Sequence, residues 1–286
     1  MQLRVLLACE MSGRVRHQFM LQGWDAWSCD ILPDESIEYG HGRKVQTIRG
    51  DNAEPLLDKK SKKRARYYKR RAMGIGIERH YEGDVLDLWD WDHPVNADRK
   101  AENEASDVSL PLWDLIIAFP PCTHLSYAGN RWRAEKQADG REDEGAAFFM
   151  KMIDAPAPFV AVENPRGVMF SRYRRPDQMV QPFWFGDPFR KTTCLWLKGL
   201  PELFPSKMVG AVATGVSGDM NGYRMGSVVT QGSNYAGRFG AGANHYEDSH
   251  GRKNRSKVRS LTFPGLAEAM AIQWGTYVRE QNLGYR

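Results

Sequence analysis

The chain has 286 residues, enough to bury a sizeable core without disulfides, and its 42% hydrophobic and 26% charged residues are ordinary for a globular protein. No apolar run approaches the roughly 18 residues that a membrane span needs, so we expect no membrane protein. The opening sequence MQLRVLLACE ends on Glu10 instead of a small-residue cleavage site, which predicts a strand rather than a signal peptide and a cytoplasmic location.

The cysteine pattern argues against both disulfides and metal. The four cysteines lie far apart at positions 9, 29, 122 and 194 and form no CxxC pair. Cys122 and His124 are the one close Cys/His pair in the sequence, which is too little to predict a metal site. We therefore expect thiols and no metal.

Positive charge is concentrated in residues 59–71. Nine of these thirteen residues are basic and none is acidic, although the net charge of the whole chain is only +5. Such a run is typical of a surface that binds a polyanion, because phosphate contacts release condensed counterions. A solvated loop or a localisation signal is the alternative interpretation. On the first interpretation, Lys62, Arg64 and Arg66 would contact a nucleic-acid backbone.

Strands and helices alternate along the first part of the chain. Apolar residues 3–8 predict a first strand, and the small polar turn 9–13 leads into a helical pattern that stops near Gly23. Residues 25–30 predict a second strand, and a third short unit contains Asp84.

The alternation continues further along the chain. Residues 113–119 have the pattern of a buried strand that ends at two prolines, and residues 146–153 complete a helix. Strands are predicted at 159–162 and 193–197, and Pro264 suits the first turn of a last helix. This order predicts an α/β fold with a mostly parallel, Rossmann-like sheet and ligands beyond the carboxyl ends of its strands.

Cys122 is the most informative single residue. It follows Pro120 and Pro121 at the end of the strand predicted at 113–119, which is the edge of the sheet where ligands are expected. A thiolate at this position can act as a nucleophile, and a buried, inert thiol is the alternative.

Two motifs resemble those of a known family. Residues 121–129, PCTHLSYAG, resemble the P-C-Q-x-x-S-x-A-G nucleophile motif of the DNA (cytosine-5) methyltransferases, and residues 162–167, VENPRG, resemble the E-N-V-x-G signature of that family. Thr123 replaces the glutamine of the first motif. The order of the cofactor strand, the acidic residues, the cysteine and the glutamate also fits.

The resemblance implies a reaction with S-adenosylmethionine on double-stranded DNA. Cys122 would add to C6 of a flipped-out cytosine, and Glu163 would assist at N3 and N4 while C5 is methylated. Asn164 would fix the loop geometry, and Lys191 or Arg190 would supply positive charge near the pyrimidine O2. Ser126 would contact the nucleic acid.

The resemblance also implies where the cofactor would bind. Asp30 would accept hydrogen bonds from the ribose hydroxyls and Asp84 from the adenine amino group, with helix-cap or turn roles as the alternatives. Of the family's glycine-rich first turn, only Gly13 remains in this sequence. The full set of expected cofactor positions is Ala8, Cys9, Glu10, Ser12, Gly13, Asp30, Ile31, Asp84, Val85 and Pro120.

The implied domains are a catalytic domain at 1–205 with a basic insert at about 53–80, a small target-recognition region at 206–258, and a C-terminal helix at 259–286 that returns to the catalytic domain. Residues 206–258 are rich in glycine, and Arg224 and Arg238 would contact DNA there. The small size of this region favours a short recognition sequence. The resemblance is to the shorter phage or prokaryotic members, and we expect a monomer in a prokaryotic or phage-infected cell.

Three alternatives stay open. An amino-group methyltransferase, acting on cytosine N4 or adenine N6, would have Asp, Asn or Ser before the two prolines and an aromatic residue after them, whereas this chain has Phe119 and Cys122. A cytosine-5 enzyme could instead act on RNA or on nucleotides, and the basic run argues only against a mononucleotide. A catalytically inactive DNA-binding relative is the third alternative.

Overall fold

The computed structural model describes residues 2–32, 46–49, 79–106, 109–210 and 261–283, without the side-chain surroundings of 46–49, 128–130 and 283. Five predicted nucleic-acid contacts lie outside the described residues: Lys62, Arg64, Arg66, Arg224 and Arg238.

Within the described ranges, eight strands form one sheet in the order β3-β4-β2-β1-β5-β6-β8-β7. The strands from β3 to β6 in this order are parallel neighbours, whereas β8 runs antiparallel to β6 and β7 antiparallel to β8. The predicted α/β fold with a mostly parallel, Rossmann-like sheet is confirmed. The strand bounds are β1 Arg4–Ala8, β2 Asp25–Asp30, β3 Gln46–Arg49, β4 Arg79–Glu82, β5 Leu115–Ala118, β6 Phe159–Pro165, β7 Gln178–Val180 and β8 Thr193–Lys198.

Helices cover both faces of the sheet. A π-helical turn at Met270–Trp274 joins the last two helices into one continuous element. Short 3₁₀ helices lie at Val85–Trp89, Pro94–Asn96, Tyr127–Trp132 and Pro182–Trp184. The α-helices are α1 Arg14–Leu21, α2 Ala97–Glu104, α3 Arg133–Ala138, α4 Arg141–Ile153, α5 Met169–Arg172, α6 Pro264–Ala269 and α7 Gly275–Leu283. No helix in the described ranges is long and apolar enough to cross a membrane.

The core consists of two apolar layers because successive side chains of a strand point to opposite faces of the sheet. On β1, Leu6 packs into the layer that contains Phe149 of α4, and Leu7 packs into the layer that contains Phe19 of α1 and Trp274. All five of these side chains are fully buried. A sheet covered on both faces leaves the loops at the ends of its strands to form a site.

A buried ion network closes the amino-terminal edge of the sheet. The Arg4 backbone N–H donates to Asp114 Oδ2 over 2.7 Å, and Arg4 Nε contacts Asp25 Oδ2 at 2.9 Å. Arg99 pairs with the same Asp114 carboxylate, and burial raises the pKa of Asp114 against the effect of these partners. Buried charges persist only when they are paired, so this edge has a structural role.

Strand β4 begins at Arg79, at the end of the span of about 53–80 that the sequence assigned to the basic insert. The Arg79 side chain is part of the fold, because its Nη1 atom contacts Asp25 Oδ1 at 2.7 Å.

Candidate functional site

The structure brings the Cys122 loop and the end of β6, which carries Glu163, together. Strands β5 and β6 are parallel neighbours in which Ala118 pairs with Val162, so the residues that follow them meet at the carboxyl edge of the sheet. The buried Asn164 amide donates from Nδ2 to the Pro120 carbonyl oxygen over 2.9 Å. This hydrogen bond ties the residue after Glu163 to the proline two positions before Cys122.

Backbone contacts join the same two loops a second time. The N–H of Val168 donates to the Leu125 carbonyl over 2.9 Å, and the N–H of Tyr127 donates to the Arg166 carbonyl over 3.1 Å. A Cβ atom on Gly167 would lie only 2.0 Å from the Leu125 carbonyl oxygen. Glycine is therefore required at the end of the VENPRG motif because the two backbones touch there.

Cys122 lies in a tight turn. Its carbonyl accepts hydrogen bonds from the N–H groups of Leu125 at 3.1 Å and Ser126 at 2.9 Å, and its side chain is half-buried. The buried Lys136 of α3 donates from Nζ to the Thr123 carbonyl over 2.7 Å. The nucleophile candidate is thus held on a fixed backbone with a lysine bound to the next peptide group. None of the four cysteines forms a disulfide.

The surroundings of Glu163 favour its protonated form. Burial raises the pKa of the Glu163 carboxyl, and the positive charge of Lys191 partly opposes this effect. No ion pair of Glu163 is found among the described residues. Cys194 pairs with Asn164 in the β6–β8 register, and burial together with the Glu163 charge raises the pKa of this thiol to about 12. The Cys194 thiol is therefore neutral, and it lies close enough to Glu163 to feel its charge.

A second cluster forms where β1, β2 and β4 end. The Glu10 N–H donates to the Cys29 carbonyl over 2.9 Å, and the Gly83 N–H donates to the Asp30 carbonyl over 3.0 Å. Burial raises the pKa of Cys9, and the negative charges of Asp30 and Asp84 raise it further. The three turns that the sequence assigned to the cofactor therefore lie side by side.

Both aspartates also have local structural roles. Asp30 Oδ1 accepts from the Leu32 N–H over 2.9 Å, and Asp84 Oδ1 accepts from the Leu86 N–H over 3.0 Å at the start of a 3₁₀ helix. The hydrogen bonds of the helix-cap and turn roles thus involve one oxygen of each carboxylate. Cofactor binding by these residues stays a prediction.

Glu10 supports the first turn from within. Only 4% of its surface is exposed, and its Oε1 accepts from Ser12 Oγ over 2.7 Å and from the Val15 N–H over 3.4 Å. Carboxylates are favourable at helix N-termini, so Glu10 stabilises the start of α1. Gly13 and Cys9 both have a left-handed backbone, with φ of 65° and 59° respectively. The turn is therefore tightly wound although it has only one of the family's glycines.

The remaining cofactor candidates differ in exposure. Ala8, Ser12, Val85 and Pro120 are buried, so we expect them to contact a ligand mainly through backbone atoms or as the floor of a site. Ile31, by contrast, is 78% exposed directly after Asp30. An apolar side chain in this position is available to a flat, apolar ligand ring.

Charge divides the carboxyl edge into two halves. The ends of β2 and β4 carry the carboxylates of Asp30 and Asp84. The segments next to β5, β6 and the start of β8 carry basic residues, namely Arg131, Arg166, Arg190 and Lys191. The charge of Lys191 acts on Glu163. The first half suits a cationic ligand and the second half suits a polyanion.

Two features of this edge were not predicted from the sequence. Lys136 gives no sequence signal, since a buried lysine on a backbone carbonyl depends on the packing of α3. The exposed ring of Trp132 was not singled out either, although the run Arg131-Trp132-Arg133 is typical of a nucleic-acid contact. Among the described residues, no group of His, Cys, Asp and Glu is arranged to hold a metal ion.

Comparisons with known proteins give distant structural similarity. No protein-family model matches this chain, and no curated protein is significantly similar to it. A crystal structure of an E. coli prophage-encoded protein, provisionally described as a DNA modification methyltransferase, matches with 16% identity and a TM-score of 0.35. The match covers 73% of this chain and 52% of that structure, so the chain spans about half the length of this neighbour.

Proposed function

We propose that this chain is an S-adenosylmethionine-dependent DNA methyltransferase that methylates cytosine at C5. The observation that carries the proposal is the joining of the Cys122 turn to the Glu163 strand end, through Asn164 on Pro120 and through the close backbone contact at Gly167. A nucleophilic thiol and a protonated carboxyl on adjacent, mutually fixed loops are what attack on an unreactive pyrimidine ring needs.

In this proposal Cys122 and Glu163 divide the work. The Cys122 thiolate forms a bond to C6 while Glu163 donates its proton to N3, so that electron density moves to C5 without building charge on the ring. The elevated pKa of Glu163 keeps this proton available. C5 would take the methyl group of S-adenosylmethionine, with S-adenosylhomocysteine as the leaving group. Loss of the C5 proton to a base then breaks the bond between C6 and the Cys122 sulfur. Cys122 leaves as a thiolate, and the N3 proton returns to Glu163.

The acidic half of the edge fits the proposed cofactor. S-adenosylmethionine carries a positive sulfonium, a ribose with two hydroxyls and a flat adenine, and when bound it would supply the methyl group. Asp30 and Asp84 offer carboxylate acceptors close to each other, and Ile31 offers an exposed apolar surface next to Asp30. Together these groups match the charge, the hydroxyls and the ring of that molecule.

The basic half fits a nucleic-acid substrate. Arg166 and Arg190 lie beside the loops that carry Cys122 and Glu163, where the backbone of a bound strand would pass. Lys191 lies close enough to Glu163 to lower its pKa, and it would place positive charge beside the pyrimidine. The target base would have to be flipped out of the duplex to reach Cys122.

The direct test is product analysis. We expect the purified chain, incubated with methyl-labelled S-adenosylmethionine and genomic duplex DNA, to give 5-methylcytosine after digestion to nucleosides. Cys122→Ser should abolish the labelling of DNA. Cys194→Ser is the matched control, because it removes another thiol close to Glu163, and it should retain the labelling. Labelled N4-methylcytosine or N6-methyladenine would reject the C5 assignment. Label in RNA but not in DNA would reject the substrate.

A further inference from the structure

An exposed aromatic surface lies beside the proposed catalytic loop. The 3₁₀ helix Tyr127–Trp132 follows directly on the turn of Cys122, and Trp132 is 53% exposed and Tyr127 43% exposed. Large aromatic rings usually lose much of their surface on folding, so an exposed tryptophan next to a candidate site points to a ligand.

A cation accompanies the tryptophan ring. The Arg131 Cζ atom lies 5.2 Å from the centroid of the Trp132 ring, which is a cation–π distance. A flat ring with a neighbouring guanidinium group is suited to a ligand that combines aromatic faces with anions, and a nucleic-acid strand is such a ligand.

The aromatic surface is fixed at both ends. At one end Tyr127 is bonded to Arg166, and at the other Arg133, the residue after Trp132, donates from Nε to Glu142 Oε2 over 3.0 Å. Glu142 is 1% exposed and also accepts from Arg172 Nη1 over 3.1 Å. Burial alone would raise the pKa of Glu142, but these hydrogen bonds keep it below its usual value, so the Glu142 carboxylate stays charged. A fixed ring binds with less loss of conformational freedom than a mobile one.

We infer that Trp132, backed by Arg131, stacks on an unpaired base of the DNA beside the Cys122 site. The inference rests on the proposed function, since removing a cytosine from a duplex leaves its former partner unpaired. Stacking on an aromatic side chain tolerates any base because every base has a π-face. Trp132 therefore contributes binding affinity and not sequence recognition.

The test compares two DNA probes without cofactor. One is a fully paired duplex, and the other is the same duplex with one unpaired, bulged base. We expect the chain to bind the bulged duplex more tightly and Trp132→Ala to lose at least about fivefold in affinity for it, since stacking on a protein ring is worth about 5- to 150-fold. Trp132→Phe should keep most of the preference because it keeps a ring.

Phe204→Ala is the matched control. Phe204 is 74% exposed, but it follows β8 at the opposite edge of the sheet, so its loss should change neither affinity. Equal affinity of the unmodified chain for the two probes, or an unchanged preference in Trp132→Ala, would overturn the inference. Since this binding assay involves no methyl transfer, its outcome is separate from the product analysis. A chain that gives no 5-methylcytosine but loses its bulge preference with Trp132 would retract the reaction and keep the stacking surface.

Discussion

Gly167→Ala tests whether the contact between the two loops positions the reacting groups. The added Cβ would lie 2.0 Å from the Leu125 carbonyl oxygen and 2.9 Å from its carbon, whereas real Cβ contacts stay above 3.0 Å. Both obstacles are backbone atoms, so the loops must separate by about 1 Å. A displacement of this size at a reacting centre costs on the order of 100-fold in rate.

The same separation weakens two backbone hydrogen bonds, from Val168 to Leu125 and from Tyr127 to Arg166. At about 0.5 to 1.5 kcal/mol each, their loss lowers the free energy of unfolding by about 1 to 3 kcal/mol. We expect urea unfolding to show this decrease, and single-turnover methyl transfer to be slowed about 100-fold with cofactor affinity almost unchanged.

Gly145→Ala is the control because it approaches the same residue without the same obstacle. Its Cβ would meet the Cδ2 atom of Leu125 at 3.3 Å, the flexible end of a side chain, inside helix α4. Alanine also favours the helix by about 1 kcal/mol relative to glycine. We expect normal activity and unchanged or higher stability. If Gly167→Ala retained the full rate, the close contact would not position Cys122 and this reasoning would be refuted.

Three further changes test individual groups. Asn164→Ala removes the donor to the buried Pro120 carbonyl, and urea unfolding should show a loss of about 1 to 3 kcal/mol together with a slower methyl transfer. Lys191→Met removes the charge that lowers the pKa of Glu163. In a profile of rate against pH, the decline that follows ionisation of Glu163 should therefore move to higher pH. Asp30→Ala should weaken S-adenosylmethionine binding about tenfold in calorimetry, through loss of the ribose acceptor.

For each of these three substitutions, one outcome would contradict the predicted role of the residue. For Asn164, a rate that falls without any loss of stability would mean that the amide acts on the substrate and not on the loop. For Lys191, a decline that moves to lower pH would show that its charge does not reach Glu163; Lys198→Met, at the other end of β8, should leave the profile in place. For Asp30, unchanged calorimetry would limit this residue to its turn with Leu32.

The ionisation of Glu163 has a consequence for stability as well. A carboxyl whose pKa is higher in the folded chain than in the unfolded chain binds its proton more tightly when folded. Its contribution to stability is therefore complete below the unfolded pKa and is lost as pH rises through the folded pKa. The rate and the stability should decline over the same pH window, and Glu163→Gln should remove both dependences.

The sequence predicts the centre of the fold well because the central strands are apolar runs with clear ends. Strand β5 ends before Pro120 and Pro121, and parallel pairing with β6 then places Cys122 and Glu163 at one edge. The edges of the sheet are harder to predict. Strand β7 has only three residues, which is too short for a periodic signal. Helix α2 packs through the buried Arg99, which pairs with Asp114, and not through an apolar stripe, so it gives no periodic signal either.

Side-chain roles within the site depend on tertiary contacts that spacing does not reveal. The sequence places Glu10 in the cofactor turn, but only the folded turn directs its carboxylate to Ser12 and to the start of α1. Asp84 likewise caps a 3₁₀ helix that no pattern predicted. The exposure of Trp132 cannot be foreseen from residue type, because most tryptophans are largely buried.

The most direct measurement of the central claim is a trapping experiment. The chain is incubated with S-adenosylmethionine and duplex DNA in which 5-fluorocytosine replaces cytosine, and the fluorine at C5 cannot leave as a proton does. We predict a covalent complex between protein and DNA that survives denaturation, with the attached nucleotide mapped by mass spectrometry to Cys122. No adduct, despite bound cofactor and DNA, or an adduct on Cys9, Cys29 or Cys194, would contradict the claim.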